Sequence, residues 1–216
     1  MNPIIATTLS GLFIKSEPWK KAHKMWFERM AEELDDPLIK DYAGEEDYFK
    51  QVDEIMEQAY PKLSEKERTV KARKIYFAQL REYITMHPDV VNKEMVEFFN
   101  SLKPCYRLGL ITNNTRITTD IILSLTGLQG LFNMSECSEL DEKDDKIAVF
   151  DRFIKYYGKP KIYIGNRKQS FEYCRKNKIP FLSINIEGEK DLPGIDTVHD
   201  LRSLKEMLEK SGIENE

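Results

Sequence analysis

The sequence predicts a three-layer α/β protein: a parallel sheet covered by helices on both faces, interrupted after its first strand by an all-helical insertion. Three observations predict it. Short buried-type runs alternate with amphipathic stretches through the second half of the chain, and strands alternating with helices make a parallel sheet. The first such run, Ile4 to Thr8, stands alone at the start of the chain. Between it and Pro88 the apolar residues recur only with helical spacing. The expected organisation is therefore an α/β core over residues 1–15 and 87–216, with a helical cap over 16–86.

Each element has a local reason. Ile4 to Thr8 is an uninterrupted apolar run of strand length. From Trp19 the period changes: Trp19, Ala22, His23, Trp26, Phe27, Met30 and Leu34 share one helical face, and Asp35-Asp36-Pro37 stops it. Glu46 to Tyr60 repeats the pattern through Phe49, Val52, Ile55, Met56 and Ala59, ended by Pro61. Ser64-Glu65-Lys66-Glu67 is a capping-box pattern that opens a helix carrying Ala72, Ile75, Tyr76, Gln79, Leu80 and Tyr83 on one stripe. After Pro88, Val90 to Leu102 predicts a helix and Arg107 to Thr112 a strand. Arg116 to Thr126 is a helix ended by Gly127, and Phe132 to Cys137 a short strand. Lys146 to Tyr157 is a helix with Gly158 at an expected left-handed stop. Strand 161–165, helix 168–177, strand 181–186 and a closing helix 201–208 complete the chain.

Composition bounds the function. A hydrophobic content of 41% with 11% aromatics excludes a disordered chain. With 33 basic and 37 acidic residues the net charge is −4, which predicts no nucleic-acid partner. No apolar run reaches the ~18 residues of a membrane span, and no secretory signal opens the chain, so no membrane association and a cytoplasmic location are expected. Cys105, Cys137 and Cys174 lack any C-x-x-C pairing and read as buried or half-buried thiols. His23, His87 and His199 show no metal-ligand spacing. Within the insertion, residues 28–57 hold 12 acids and 3 bases, while 62–74 hold 6 bases and 2 acids. Helices that neutralise one another explain this layout, and a polarised docking face is the alternative.

In parallel α/β sheets ligands sit beyond the carboxyl ends of the strands. Thr8, Thr112 and Asn166 all fall there. Residues 4–19, IIATTLSGLFIKSEPW, resemble the first motif of the haloacid dehalogenase (HAD) superfamily, a hydrophobic strand running into Asp-x-Asp-Gly-x-Leu with a Ser-Glu-Pro tail. Gly11, Leu12, Phe13, Ser16, Glu17 and Pro18 keep that register, whereas Thr8 and Ser10 occupy the two aspartate positions. LGLITNNT (108–115) is similar to the second motif, in which Thr112, with Asn113 beside it, would bind a phosphoryl oxygen. The third-motif lysine is matched by Lys146, with Lys143 as the fallback. KIYIGNRKQS resembles the Mg²⁺-holding fourth motif, Gly-Asp-x-x-x-Asp, with Asn166 and Ser170 at the acidic places. No aspartate precedes Asp35 or falls between Asp151 and Asp191, and Glu172 is the one acid close in sequence.

The resemblance implies a Rossmann-like HAD core with a helical cap of the kind that governs small-molecule substrate choice. It also implies the chemistry that the substitutions remove. In the family the first aspartate attacks phosphorus or a halogen-bearing carbon and the second moves the proton. An unassisted threonine hydroxyl is no nucleophile at neutral pH, and only Glu17 or His23 offers itself as a base for Thr8. Mg²⁺ is the family's cofactor, and its anionic ligands are absent from these motifs, so no cofactor is expected. What remains, Thr112, Asn113 and Lys146, suits an anion without a metal. The expectation is a non-catalytic HAD-like protein binding inorganic phosphate, a phosphorylated small molecule, or a protein partner through the cap. The alternative is a divergent hydrolase, phosphatase or dehalogenase in type, acting on a small phosphometabolite or related substrate. A purely structural subunit would instead expose an apolar patch around Trp19, Trp26 and Phe27.

Overall fold

The computed structural model describes residues 2–44, 49–143, 145–188 and 190–213. The chain divides into two compact units, one formed by Met1–Ser16, Val90–Ser138 and Asp145–Glu216, the other by Glu17–Asp89 and Glu139–Asp144.

The first unit is the α/β core. Its strands are β1 (Ile4–Thr7), β2 (Arg107–Thr115), β3 (Met134–Ser138), β4 (Ile162–Gly165), β5 (Phe181–Ile184) and β6 (Thr197–Val198). They lie in the order β3-β2-β1-β4-β5-β6, and every adjacent pair is parallel. The helices α4 (Lys93–Leu102), α5 (Arg116–Leu125), α6 (Lys146–Tyr157) and α7 (Lys168–Lys176) lie in the connections between strands, and α8 (Leu201–Lys210) follows β6. This is the doubly covered parallel sheet the alternation predicted.

Packing on one face sets up the site. Ile4, Ala6, Ile111 and Tyr163 from the strands meet Val149, Phe150 and Phe153 of α6 and Tyr173 and Cys174 of α7. Two strand glycines make room for rings there. A Cβ on Gly109 would lie 2.5 Å from Phe153 Cζ, and one on Gly165 would lie 2.6 Å from Tyr163 Cε1. Their absent side chains let two aromatics press against the strand backbone, which is the usual reason for glycine inside a strand.

Edge strand β3 is blunted by arginines. The Arg116 guanidinium donates to Ser135 Oγ and O, and Arg152 Nη2 donates to the Cys137 carbonyl at 2.8 Å. Ser135 and Cys137 are two apart, so one row of β3 carbonyls is occupied by side chains rather than offered to another strand.

The second unit is helical: α1 (Glu17–Leu34), α2 (Phe49–Ala59) and α3 (Glu65–Met86), with a 3₁₀ segment at Pro37–Gly44. Trp26, Phe27, Met30, Ile39, Ile55, Met56, Ala72 and Ile75 form its core. Trp26 and Phe27 are therefore packing residues and not an exposed patch. The capping box at Ser64 and Glu67 is formed with both reciprocal bonds. Residues 46–48, assigned to the second helix from sequence, lie outside the described residues. The unit also includes a strap from the β3–α6 connection. Arg73 Nη1 donates to the carbonyls of Glu139 and Glu142, Lys66 pairs with Asp141, and Lys143 pairs with Asp53 and Glu65.

Four local expectations need adjustment. The helix predicted from Val90 begins at Lys93, because Asn92 caps it and Pro88–Val90 is a 3₁₀ turn. Strand β2 runs three residues past Thr112, to Thr115. Gly158 ends α6 at φ 94°, ψ 172°, a glycine-only region distinct from the left-handed helical one. Strand β6 is only two residues long and has no apolar run to announce it. All three cysteines are free, Cys105 half-buried and the others buried.

Candidate anion site at the carboxyl ends of the strands

The site belongs to the α/β unit and begins with the loop after β1. Thr7 aligns with Leu110 on one side and Ile164 on the other, so Thr8 sits level with the end of β4 and with Ile111 of β2, which runs on to Thr115. Its N–H donates to the Ile164 carbonyl at 3.1 Å. The chain then makes one turn, with Phe13 and Ile14 N–H both reaching the Leu9 carbonyl. Leu9, Leu12, Phe13 and Ile14 are fully buried, so this loop is anchored by packing. Ile14 bridges Val91, and Lys15 and Asn92 N–H bond Val90 and Phe13 carbonyls, which pins the returning chain.

Gly11 adopts φ +76°, and a Cβ there would fall 2.6 Å from Asn166 Nδ2. The motif glycine is thus required twice: for its backbone angle and to let the Asn166 amide lie against it. The Ser10 hydroxyl is buried and, among the described residues, has no hydrogen-bond partner. An unpaired buried hydroxyl costs about 1–3 kcal/mol and marks a place built for an acceptor or donor.

On the β2 side, Thr112 is 6% exposed and its hydroxyl accepts the Asn114 N–H at 3.2 Å. Helix α5 is capped by Thr115, whose hydroxyl accepts from Thr118 N–H, so Thr112 is not the capping residue. Asn113 is half-buried beside it. Lys146 opens α6, capped by Asp145, which accepts the Ile147 N–H at 2.8 Å. The Lys146 side chain is 8% exposed and donates to the Ile111 carbonyl, at the level of Thr8. Asp145 is therefore spent on the cap, and Asp144 lies outside the described residues. Lys143 belongs to the other unit, bound to Asp53 and Glu65.

Tyr163 is the site residue the sequence did not announce. Its side chain shares the β1 face of Ala6, and its ring runs under Gly165, with the hydroxyl 3.4 Å from where a Gly165 Cβ would be. The hydroxyls of Thr8 and Ser170 face the phenol, while burial pushes its acidity far down and keeps it neutral. Ser170 is 1% exposed. The signal available was its spacing: a polar-tipped ring two residues before a strand-end glycine points to the same face. Cys174 lies nearby, its thiol pushed up to about 12 by desolvation despite the Lys146 charge, so it is an inert thiol.

The acids of this region come from an unexpected place. Glu172 faces away, paired with Lys168 one turn earlier. Glu187 and Asp191, from the β5–β6 connection, instead line a recess shared with Gly11, Asn166, Ser183 and Thr197. Both are engaged. Glu187 accepts from Ser16 N–H at 2.8 Å and from the Ser16 hydroxyl. Asp191 accepts from Asn185 Nδ2 at 2.6 Å and lies 3.4 Å from His199 Nε2. Among the described residues no cluster of three His, Cys, Asp or Glu could hold a metal ion. Positions 8, 10 and 170 carry hydroxyls and 166 an amide that fills the Gly11 cradle, and the two carboxylates of the adjoining recess are held by Ser16, Asn185 and His199, so these donors do not fit Mg²⁺.

Glu17 and His23, the bases considered for Thr8, both lie in the helical unit. Glu17 accepts from Tyr83 Oη at 3.0 Å, and burial against Phe27 lowers the His23 pKa to about 4.

No family model matches the sequence, and no curated protein matches it. Solved structures do. The chain is similar to a haloacid dehalogenase-like hydrolase family protein from Streptococcus pneumoniae, at 17% identity and TM-score 0.64, covering 95% of this chain and 98% of that one. It is similar to a protein from Clostridium acetobutylicum described as a predicted phosphatase, at 18% identity and TM-score 0.62, covering 97% and 99%. A third match is an L-2-haloacid dehalogenase, at 15% identity and TM-score 0.55, covering 96% and 99%. The fold is that of the HAD-like hydrolases over nearly the whole chain. No described helix is long and apolar enough to cross a membrane.

Proposed function

We propose that this HAD-like chain is non-catalytic and binds inorganic phosphate or a phosphorylated small molecule without a metal ion. One observation carries the reading: the near-buried Lys146 amino group is held on the Ile111 carbonyl of β2, next to Thr112 in the strand, while positions 8 and 10 carry hydroxyls and not carboxylates. The Lys146 ammonium donates to the Ile111 carbonyl and places its positive charge there. A cation with neighbouring hydroxyl and amide donors in a low-dielectric setting favours an anion. Removing the covalent nucleophile of such a site costs several orders of magnitude in rate.

Titration calorimetry with phosphate, with and without Mg²⁺, tests the reading. Binding that is independent of Mg²⁺ and lost in Lys146→Met supports it; no binding, or binding only with Mg²⁺, sinks it. The competing reading is a divergent hydrolase, which the fold of hydrolase neighbours favours. Metal-dependent turnover of an aryl phosphate, abolished in Thr8→Val, would establish that reading instead.

A further inference from the structure

The strap between β3 and α6 belongs to the helical unit by its contacts, although Ser138 before it and Asp145 after it belong to the α/β unit. It is closed on itself: Glu142 N–H donates to the Glu139 carbonyl at 3.3 Å, and Glu139 N–H donates to the Glu142 carboxylate at 2.9 Å. That turn brings the Glu139 and Glu142 carbonyls to one nitrogen, Arg73 Nη1. Its charges are matched in both senses. The acid Asp141 meets Lys66, while the base Lys143 lies 3.0 Å from Asp53 and 2.7 Å from Glu65. Asp53 is on α2 and Glu65 opens α3, so Lys143 joins two helices through a pair of carboxylates that would otherwise repel. The five ion-pairing side chains are 36–72% exposed. Such pairs are individually weak and are screened by salt, so the strap is held by their number and is releasable.

We infer that the strap is an electrostatic latch: it closes on Asp53, Glu65, Lys66 and Arg73, and its release loosens the first turn of α6, which carries Lys146. The coupling runs along the chain. Lys146 is three residues from Lys143, and three residues span at most about 10 Å. Between them Asp145, itself exposed, caps α6 through the Ile147 N–H at 2.8 Å. That cap forms only while the Asp145 backbone holds its extended angles, φ −111° and ψ 98°. With the latch shut, the cap residue is confined between the anchored Lys143 and the buried Lys146 side chain. With it open, the cap residue gains the freedom of a loop, and the helix start frays. The charge layout of the helical unit, acidic over residues 28–57 and basic over 62–74, thereby receives a use: each half offers one jaw to the strap. This inference concerns the latch and the start of α6, and stands whether or not phosphate binds.

The experiment follows amide hydrogen exchange by mass spectrometry on the full chain, without phosphate. Raising salt from about 0.1 to about 1 M shortens the screening length from about 10 to about 3 Å. Exchange of the strap amides should then accelerate by about tenfold or more, and the Ile147 amide should accelerate with them. The reference is the first turn of α8, which Asp200 caps through the Ser203 N–H at 2.6 Å; its response to salt reports aspartate capping alone. In Lys143→Gln both the strap and Ile147 should exchange fast already at low salt, whereas Lys143→Arg, which keeps the charge, should stay slow. A strap that ignores both salt and Lys143→Gln overturns the inference. So does a strap that opens while Ile147 responds no more than Ser203. Arg73→Ala frees both carbonyls and should give the same pattern; should it unfold α3, seen as fast exchange along that helix, Lys143→Gln decides, because it changes only an exposed side chain.

Discussion

Gly165→Ala should cost far more stability than a glycine-to-alanine change in a strand ordinarily does. Alanine has the better intrinsic strand and chain-entropy terms, so an unconstrained site would gain about 0.4–1 kcal/mol. Here the new Cβ would fall 2.6 Å from Tyr163 Cε1 and 3.3 Å from Cζ. Carbon atoms pack best at roughly 3.5–4.0 Å, so the ring would have to retreat by about 1 Å. It cannot, being fully buried between Phe150 and Phe181. Overpacking of this kind costs about 1–3 kcal/mol, and the immobility of the ring puts this case near 3. For a chain of this length that is a fall in melting temperature of roughly 6–12 °C. Thermal unfolding by circular dichroism measures it. The decisive control is a double-mutant cycle with Tyr163→Leu. Truncating the ring carries its own cavity cost, but Gly165→Ala added to it should then be nearly neutral, a coupling of about 2–3 kcal/mol. Additive effects, or a neutral Gly165→Ala, would show that the ring does not lie beneath Gly165.

Three other outcomes follow from the same coordinates. His23 has a folded pKa near 4 against 6.5 unperturbed, so as pH falls below 6.5 the unfolded chain takes the proton first. The helical unit should lose about 1–2 kcal/mol between pH 6.5 and 4, after allowance for partial exposure, and His23→Gln should flatten that limb of a pH–stability curve. Arg152→Ala removes the partner of Glu136, which is 9% exposed and 2.9 Å from Arg152 Nε, and also uncovers the Cys137 carbonyl; a loss of about 2 kcal/mol and new self-association on sedimentation are expected, more so with Arg116→Ala. Ser64→Ala removes the hydroxyl that accepts from Glu67 N–H in the capping box at the start of α3, leaving the Ser64 backbone bond to the Glu67 carboxylate; it should lower stability in urea unfolding by about 1 kcal/mol, with Ser64→Asp retaining most of it.

The sequence alone determined the architecture, because strand and helix periods, caps and glycine stops are written within a few residues of one another. The Ser64 capping box and the runs at Arg107 and Phe181 each carry their own local signal, whereas the Asn92 cap that starts α4 at Lys93 was missed by helical spacing alone. It determined equally that positions 8, 10, 166 and 170 carry Thr, Ser, Asn and Ser and no carboxylate, since residue identity needs no tertiary contact. Other features depended on residues distant in the chain. Tyr163 reaches Thr8 and Ser170 only because β1 and β4 are neighbours in the sheet. Glu187 reaches Ser16 across 171 residues, so the acids near Asn166 came from a connection with no motif of its own. Lys143 and Lys146 look alike in sequence, yet one is bound to Asp53 and Glu65 and the other ends at the Ile111 carbonyl. Local pattern fixes the elements because a period is a property of consecutive residues. Which side chains share a few ångströms is decided by packing between distant segments, and that only the tertiary structure supplies.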